Sequence, residues 1–329
     1  MKFIFIFIFI ASTLCANAKW VPDILGNGYE MQYVKHPDDY SGAVRSTIIR
    51  KSSPCAKNRG VLYIHGYNDY FFQQEMGDRF VDSCYHFYAI DLRKYGRSII
   101  EGQNKFQVRD LREYFADIDS AINIMSHEGI KHIILMGHST GGLTASLYMA
   151  EHANPNIMAL ILNSPFLDWN LGALEPFIPY VSGIGAILPG ISISQGESSA
   201  YAQSLLSDYH GEWNYNTEWK LMQSPDVETG WLRAIDQAQM KLHNGVSIAV
   251  PVLLMHSATT HNTSQWDSTC NHSDIVLDVN DIKKYGHRLG HNITEMTVYG
   301  GVHDLMLSEQ STRNEIYEKL FKWLNQKGF

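Results

Sequence analysis

The sequence has 329 residues, of which 45% are hydrophobic and 18% are charged, with 25 glycines and 10 prolines. This composition is typical of a globular chain and excludes a disordered, fibrous or low-complexity protein. Acidic residues number 34 against 26 lysines and arginines, giving a formal charge of −8. Because the basic residues form no run, we expect neither nucleic acid nor an anionic membrane surface as a partner.

Residues 1–18 have the pattern of a secretory signal peptide. Lys2 precedes an apolar run over residues 3–10, and the segment ends in Ala-Asn-Ala, a typical cleavage site. The run is shorter than the ~20 residues that a membrane-spanning helix needs. We therefore expect cleavage near Ala18 and export (periplasmic or secreted) of a mature chain, residues 19–329, without a transmembrane segment. An uncleaved anchor is the alternative.

Short runs of β-branched and aromatic residues alternate with longer segments of helical periodicity from about residue 60 onward, after an opening antiparallel pair at 30–50. The predicted strands are 61–65, 86–91, 132–137, 158–163, 250–256 and 295–299. The predicted helices are 72–83, 111–128, 140–152 and 311–326. Continuous apolar runs in the strands indicate burial on both faces. The alternation predicts a single α/β domain with a mostly parallel central sheet and helices on both faces.

The mature chain retains three cysteines, so at most one internal disulfide can form. Cys55 and Cys84 each precede a predicted strand. If these strands are parallel neighbours, both cysteines lie at the same edge of the sheet and can form a disulfide. Cys270 then remains unpaired. The alternative is three unpaired thiols.

Residues 167–235 interrupt the alternation and are rich in glycine, proline, tryptophan and tyrosine. We interpret them as an inserted lid or cap over the carboxyl edge of the sheet. A segment this apolar is not expected to remain exposed. We therefore expect its apolar side chains, Phe177 among them, to form an acyl channel over the catalytic turn.

Residues 137–141 match the pattern G-x-S-x-G. A buried strand leads into the pattern and a helix of small residues follows it, which is the context of a nucleophile elbow. This context predicts that Ser139 is a nucleophile, with its hydroxyl near a helix N-terminus that favours developing negative charge. A serine hydroxyl also needs a base, an orienting acid and oxyanion donors.

Among the 15 histidines, His303 is the predicted base. It follows the last predicted strand and precedes the final helix, where a loop can return the imidazole over the elbow. His287 and His291 have an i,i+4 spacing that could bind a metal, but no carboxylate motif accompanies them. We expect His138, inside the elbow, to be a packing residue. We expect no metal and no cofactor.

The acid is expected after the strand that ends at His256, and three aspartates compete for this role. Asp274 is favoured because it introduces the apolar run 275–277, whereas Asp278 has the position of a helix cap. Asp267 is the third candidate. The resulting order Ser139, Asp274, His303 is the order of the α/β-hydrolase triad.

Two backbone N–H groups are the predicted oxyanion donors. One is that of Thr140, directly after the nucleophile. The other is that of Tyr67, in the loop after strand 61–65, where Gly66 lets the backbone approach closely. An ordinary strand-to-helix turn is the alternative for this loop.

Together these segments resemble the α/β-hydrolase superfamily. The resemblance rests on the motifs at 65–66, 91–98, 137–142, 163–165 and 301–304 and spans about residues 30–329. Within the superfamily the chain is similar to the lysophospholipase and monoacylglycerol lipase group, whose domain is often labelled serine aminopeptidase-like. The resemblance implies the α/β-hydrolase fold and a structural role for residues 91–98.

The predicted function is an exported serine hydrolase that cleaves carboxylic esters, with a lysophospholipid, a monoacylglycerol or another small acyl ester as substrate. A serine peptidase on the same fold is the alternative. It needs an acidic anchor for the substrate's ammonium group, and the insertion offers Glu175, Glu197, Glu212 and Glu218. A non-catalytic binding protein is the second alternative, and the intact serine and histidine argue against it.

Overall fold

The computed structural model describes residues 19–329, and the predicted signal segment lies outside the described residues. The strands are β1 (Val21–Pro22), β2 (Glu30–Asp39), β3 (Gly42–Lys51), β4 (Arg59–Ile64), β5 (His86–Asp91), β6 (His132–His138), β7 (Ile157–Asn163), β8 (Ser192–Ile193), β9 (Val227–Glu228), β10 (Val252–Ser257) and β11 (Ile293–Val298). Within this part of the chain, nine strands form one sheet in the order β1-β2-β3-β5-β4-β6-β7-β10-β11, and β8 pairs with β9.

The helices lie on both faces of this sheet. They are α1 (Gln74–Asp82), α2 (Phe115–His127), α3 (Thr140–Glu151), α4 (Ile178–Gly185), α5 (Ala200–Leu205), α6 (Thr229–His243), α7 (Val279–Gly286) and α8 (Gln310–Gln326). Helices α1 and α8 pack on one face, and α2, α3, α6 and α7 contribute to the core on the other. No helix within residues 19–329 has both the length and the apolarity to cross a membrane.

The six strands from β5 to β11 in the sheet order pair in parallel, while β1, β2 and β3 are antiparallel. Alternate side chains of each central strand enter opposite cores: Leu62 packs toward α2 and α3, and Val61 packs toward α1 and α8. This two-sided burial explains the continuous apolar runs in the sequence. The predicted α/β fold is therefore confirmed.

The segment that we call the cap, residues 167–235, lies between β7 and β10 and contains α4, α5, β8 and β9. The predicted limit at residue 235 falls inside α6, because this helix runs without interruption from Thr229 to His243. Its buried side chains Trp231, Ile235, Ala238 and Leu242 follow helical spacing and pack onto the sheet side.

The expectation that the cap's apolar side chains bury over the elbow is wrong for one part of it. Phe177 is 60% exposed, and its exposed apolar neighbours are Leu171, Leu174, Tyr180, Ile184, Ile187, Leu188 and Ile191. The reason lies in α4, which buries only its Ile178, Ser182 and Gly185 side. Gly185 approaches α6 so closely that a Cβ there would lie 2.2 Å from the Thr229 backbone oxygen. On the opposite side of α4, no element within residues 19–329 covers the apolar side chains, which are exposed.

Candidate active site

The serine of the G-x-S-x-G pattern lies at the sharp turn between β6 and α3. Ser139 has φ of +51°, in the left-handed region that non-glycine residues rarely adopt. Both flanking glycines are required for space. A Cβ on Gly137 would lie 2.5 Å from the Gly141 carbonyl oxygen, and a Cβ on Gly141 would lie 2.3 Å from the His65 carbonyl oxygen. The turn thus presents the hydroxyl at the carboxyl edge of the sheet.

The loop that carries His303 follows β11 and is tied to the elbow by Asn163. The Asn163 side chain donates to Asp304 Oδ1 (2.7 Å) and accepts from the Leu305 N–H (3.1 Å). Its backbone carbonyl accepts from the Ser139 N–H at 3.0 Å. Because Asn163 is fully buried, these bonds fix the histidine loop and the nucleophile turn relative to each other.

Asp274 reaches the site although a long excursion separates it from the end of β10. Its backbone N–H donates to the Thr259 carbonyl, and its carbonyl accepts from the His261 N–H, both at 2.9 Å. These two bonds return the chain to the sheet edge. Asp274 Oδ1 accepts from the N–H groups of Val276 and Leu277, both at 2.8 Å. The other carboxylate oxygen is left to face the histidine.

The three side chains form one chain of hydrogen bonds. His303 Nδ1 lies 2.9 Å from Asp274 Oδ2, and His303 Nε2 lies 3.0 Å from Ser139 Oγ. With its Nδ1–H donating to the carboxylate, the neutral ring presents Nε2 as an acceptor for the serine proton. Asp274 is fully buried and Ser139 is 8% exposed, so bulk water has little access to this chain.

The competing aspartates have other roles in the structure. Asp278 is the N-cap of α7 and accepts from the Asn280 N–H at 2.8 Å. Asp267 caps a 3-10 turn through the Thr269 N–H, also at 2.8 Å. His287 lies against the Glu295 carboxylate, at 2.7 Å. The structure brings together Ser139, His303 and Asp274, and leaves these other candidates outside.

The loop of residues 65–69, which we call the oxyanion loop, passes directly beside the nucleophile. A Cβ on Gly66 would lie 3.1 Å from the Ser139 Cβ, so the backbone at Tyr67 is next to the elbow. Thr140 is the first residue of α3, whose N-terminus favours negative charge. Both predicted donors therefore come from backbone segments that meet at Ser139.

The cap contacts the oxyanion loop through two hydrogen bonds and an ion pair. The Asn68 side chain donates to the Leu221 carbonyl (2.8 Å) and accepts from the Leu221 N–H (2.7 Å). The Lys220 ammonium lies 2.9 Å from Asp69 Oδ1, and both residues are at least 95% buried. The sequence analysis missed these four residues. No local pattern marks them, because the pairs are 151 and 153 positions apart.

Two buried histidines with lowered pKa values adjoin the site. Burial lowers the pKa of His65, whose Nδ1 lies 2.7 Å from the Gly66 carbonyl and whose Nε2 accepts from the Leu92 N–H. Burial also lowers the pKa of His138, and His303 adds to this while Asp304 opposes it. The His138 ring lies 4.8 Å from the His303 ring, so it packs against this side chain as expected.

Two groups of side chains in the described part of the chain could offer several metal ligands. His261, Asp267 and Cys270 are one group, and Asp69, His138 and Asp304 are the other. In the first group, the His261 ring is already hydrogen-bonded to the Asp267 carboxylate, at 2.8 Å. In the second, Asp69 is neutralised by a lysine.

Cys55 and Cys84 form a disulfide in the structure, and Cys270 is a free, buried thiol. The bridge joins the segments that precede β4 and β5, which pair in parallel from Gly60 opposite His86. The sequence left open a Cys55–Cys84 bridge or three unpaired thiols, and the structure has the bridge.

Several known proteins are similar to this chain. It is 26% identical over 139 residues to the phospholipase YtpA of Bacillus subtilis (strain 168), an alignment that covers 42% of this chain and 52% of the relative. The chain thus spans about half the length of this curated relative. A soluble variant of monoglyceride lipase from Saccharomyces cerevisiae matches with a TM-score of 0.65 at 17% identity, over 89% of this chain and 94% of that chain. The monoacylglycerol lipase of Paleococcus ferrophilus matches with a TM-score of 0.60 at 17% identity, over 91% and 99%.

These structural likenesses establish the fold. A family model described as "Serine aminopeptidase, S33" matches residues 56–310, a range that includes all three side chains of the hydrogen-bonded chain. Since this range is well over half of the sequence, the resemblance stated above is confirmed: the protein belongs to the serine aminopeptidase (S33) family of α/β-hydrolases.

Proposed function

We propose that the protein is a serine hydrolase that cleaves carboxylic esters through an acyl-enzyme on Ser139. One observation carries the proposal: the hydrogen-bonded chain from the serine Oγ through His303 to the Asp274 carboxylate, with separations of 3.0 and 2.9 Å. These are the distances at which a neutral imidazole can take the serine proton and a carboxylate can orient it.

In the proposed reaction Ser139 Oγ attacks the ester carbonyl while its proton passes to His303 Nε2. The N–H groups of Tyr67 and Thr140 bind the oxyanion of the tetrahedral intermediate. The imidazolium, oriented by Asp274, then protonates the leaving alcohol and leaves an acyl-enzyme. A water molecule, deprotonated by the same histidine, releases the acid and restores the serine.

For the substrate we propose a single-chain acyl ester of the lysophospholipid or monoacylglycerol type. The names of the phospholipase and of the two lipases support this class, while the description of the family model favours the peptidase alternative. Two of the glutamates suggested as ammonium anchors have other partners. Glu175 accepts from the N–H groups of residues 171–172, and Glu212 lies 2.6 Å from the Arg313 guanidinium.

The test uses the chain without residues 1–18. A fluorophosphonate should label the wild-type protein at Ser139, and Ser139→Ala should lose the label and roughly 10³-fold or more of kcat. Activity is compared on p-nitrophenyl esters, monoacylglycerols, lysophospholipids and aminoacyl amides. Faster cleavage of aminoacyl amides than of any ester would replace the lipid substrate with a peptide. An inactive, unlabelled wild type would favour a binding protein.

We further propose that the protein is exported and cleaved near Ala18. The signal-peptide pattern of residues 1–18 supports this, as does the disulfide, because disulfides persist mainly in oxidising compartments. Fractionation of expressing cells and the N-terminal sequence of the exported protein test it. A full-length chain in the membrane fraction would favour the uncleaved anchor.

A further inference from the structure

A cleft that is not lined by Ser139, His303 or Asp274 begins at the side chain of Tyr67, in the oxyanion loop. It has a volume of about 500 Å³ and lies between the cap and residues 104–107 of the core. Tyr67 contributes its backbone N–H to the proposed oxyanion hole and its ring to this cleft. The cleft and the proposed oxyanion hole therefore share one residue.

One wall of the cleft is aromatic. The Tyr67 ring lies with its centroid 5.3 Å from the Phe106 ring and 4.6 Å from the Trp231 ring. Phe106 and Trp231 are buried in the core on their other sides, so the three rings are held in fixed orientations. Electron-rich ring faces attract cations, and several rings around one space are the usual setting for an alkylammonium group.

The other wall carries two carboxylates whose hydrogen-bond partners are neutral. Glu228 accepts from the Gln107 amide at 2.8 and 3.0 Å and from the Asn104 amide at 3.2 Å. Asp226 accepts from the Ser192 hydroxyl at 3.0 Å. Amides and hydroxyls satisfy the oxygen lone pairs but leave the negative charge uncompensated.

One cation, Lys105, is among the residues that line the cleft. Its ammonium donates to the backbone carbonyl of Glu218 at 2.7 Å, so it is engaged outside the carboxylate pair. The cleft therefore has a net negative charge. Consistently, the pKa of the Tyr67 hydroxyl is raised, chiefly by burial and further by nearby Tyr95 and by the charges of Asp226 and Glu228.

We propose that this cleft binds the ammonium group of the substrate, against the rings of Tyr67, Phe106 and Trp231 and opposite the carboxylates of Asp226 and Glu228. The inference rests on the proposed function and narrows its substrates to esters or amides that carry a cationic group. The ammonium can come from two sources. It can be a quaternary head group on the alcohol side of an ester, or the free α-amine of an aminoacyl group.

The experiment compares matched pairs of charged and neutral substrates. Butyrylcholine is set against 3,3-dimethylbutyl butyrate, which has the same shape without the charge. Leucine p-nitroanilide is set against its N-acetyl derivative. We expect the charged member of one pair to have a kcat/KM at least about tenfold higher, the preference that a single desolvated cation–ring contact can give. The pair in which the charged substrate is cleaved faster shows whether the ammonium belongs to the alcohol head group or to the aminoacyl group.

Three variants test whether residues of the cleft cause the preference for the charged substrate. Glu228→Gln should reduce the ratio of charged to neutral kcat/KM severalfold. Lys105→Gln should raise this ratio, because it removes a positive charge that lines the cleft and repels an ammonium group. Glu318→Gln is the matched control. Glu318 is exposed on α8, which packs on the opposite face of the sheet from α6, so the same loss of charge there should leave the ratio unchanged.

Binding without turnover provides an independent measurement. Calorimetric titration of Ser139→Ala with tetramethylammonium should show saturable binding that Glu228→Gln weakens. Ratios near one for both substrate pairs, or a ratio that Glu228→Gln leaves unchanged, would overturn the inference. If neutral esters are nevertheless cleaved and Ser139 is labelled, the proposed hydrolase function stands without it.

Discussion

Replacing Asn68 with glycine tests whether the cap holds the oxyanion loop in its active position. Asn68 has φ of +49°, a conformation that glycine adopts without strain, so the substitution removes the side chain and leaves the backbone preference intact. Both bonds to Leu221, at 2.7 and 2.8 Å, are lost. The Lys220–Asp69 pair stays as the second attachment of the loop.

The expected size of the effect follows from these contacts. Two neutral hydrogen bonds contribute about 1–3 kcal/mol to the free energy of unfolding, so the variant should fold but be less stable. Complete loss of one oxyanion donor lowers kcat by about 10²–10³. Because Asp69 still anchors the loop, we expect an intermediate loss in kcat of roughly 10–100-fold. KM should change little, since the oxyanion forms only in the transition state.

The assay measures kcat and KM on a p-nitrophenyl ester, together with the inhibition constant of a trifluoromethyl ketone, whose adduct carries the oxyanion. The inhibition constant should rise in parallel with the fall in kcat. Asn27→Gly is the matched control, because Asn27 is exposed and has nearly the same φ, +48°. If Asn68→Gly retains the wild-type kcat and inhibition constant, the cap does not position the donor and the argument is refuted.

Three further substitutions test the stability of the folded chain. Lys220→Met leaves the Asp69 charge buried and unpaired and should cost about 3–5 kcal/mol in urea unfolding, most of which the double variant with Asp69→Asn should recover. Below about pH 6.5 the unfolded chain binds a proton that buried His138 resists, so stability falls as the pH is lowered. His138→Asn should remove up to about 1.4 kcal/mol per pH unit of this slope, whereas the same change at exposed His132 should not; equal slopes for both variants would contradict the assignment. Cys84→Ser opens a crosslink of separation 29 and should lower the free energy of unfolding by about 3–4 kcal/mol, as should dithiothreitol on the wild type but not on the variant.

The central strands could be predicted from the sequence because burial on two faces leaves a simple pattern. Runs such as residues 133–136 have no polar alternation, and glycine-rich turns bound them. Helix α6 was missed although Trp231, Ile235, Ala238 and Leu242 follow helical spacing. Glycines and prolines in the preceding residues obscured its start.

For the candidate triad, local context was sufficient for two of the three residues. Ser139 and His303 each lie at a junction between a strand and a helix that can be recognised from neighbouring residues alone. The acid could only be ranked, because Asp267, Asp274 and Asp278 all precede structured segments. The backbone bonds of Asp274 to Thr259 and His261 distinguish it, and they exist only in the folded chain.

The attachments between the cap and the oxyanion loop had no signal in the sequence at all. From the sequence alone, Asn68 and Asp69 are typical of a turn, and Lys220 is typical of a surface lysine. Their pairing depends on the path of the cap over the sheet edge. The burial of the cap was likewise misjudged, since composition shows how apolar a segment is but not which of its sides finds a neighbour.

These attachments have a consequence for engineering by domain exchange. The cap looks like a module that could be transplanted to change specificity, since it lies between β7 and β10, which are neighbours in the sheet. Here the exchangeable unit is larger than the cap. A graft of residues 167–235 onto another core would bring Lys220 and Leu221 without Asn68 and Asp69, and would place an unpaired lysine beside the oxyanion loop. A functional chimera from this protein should therefore carry residues 65–69 together with the cap.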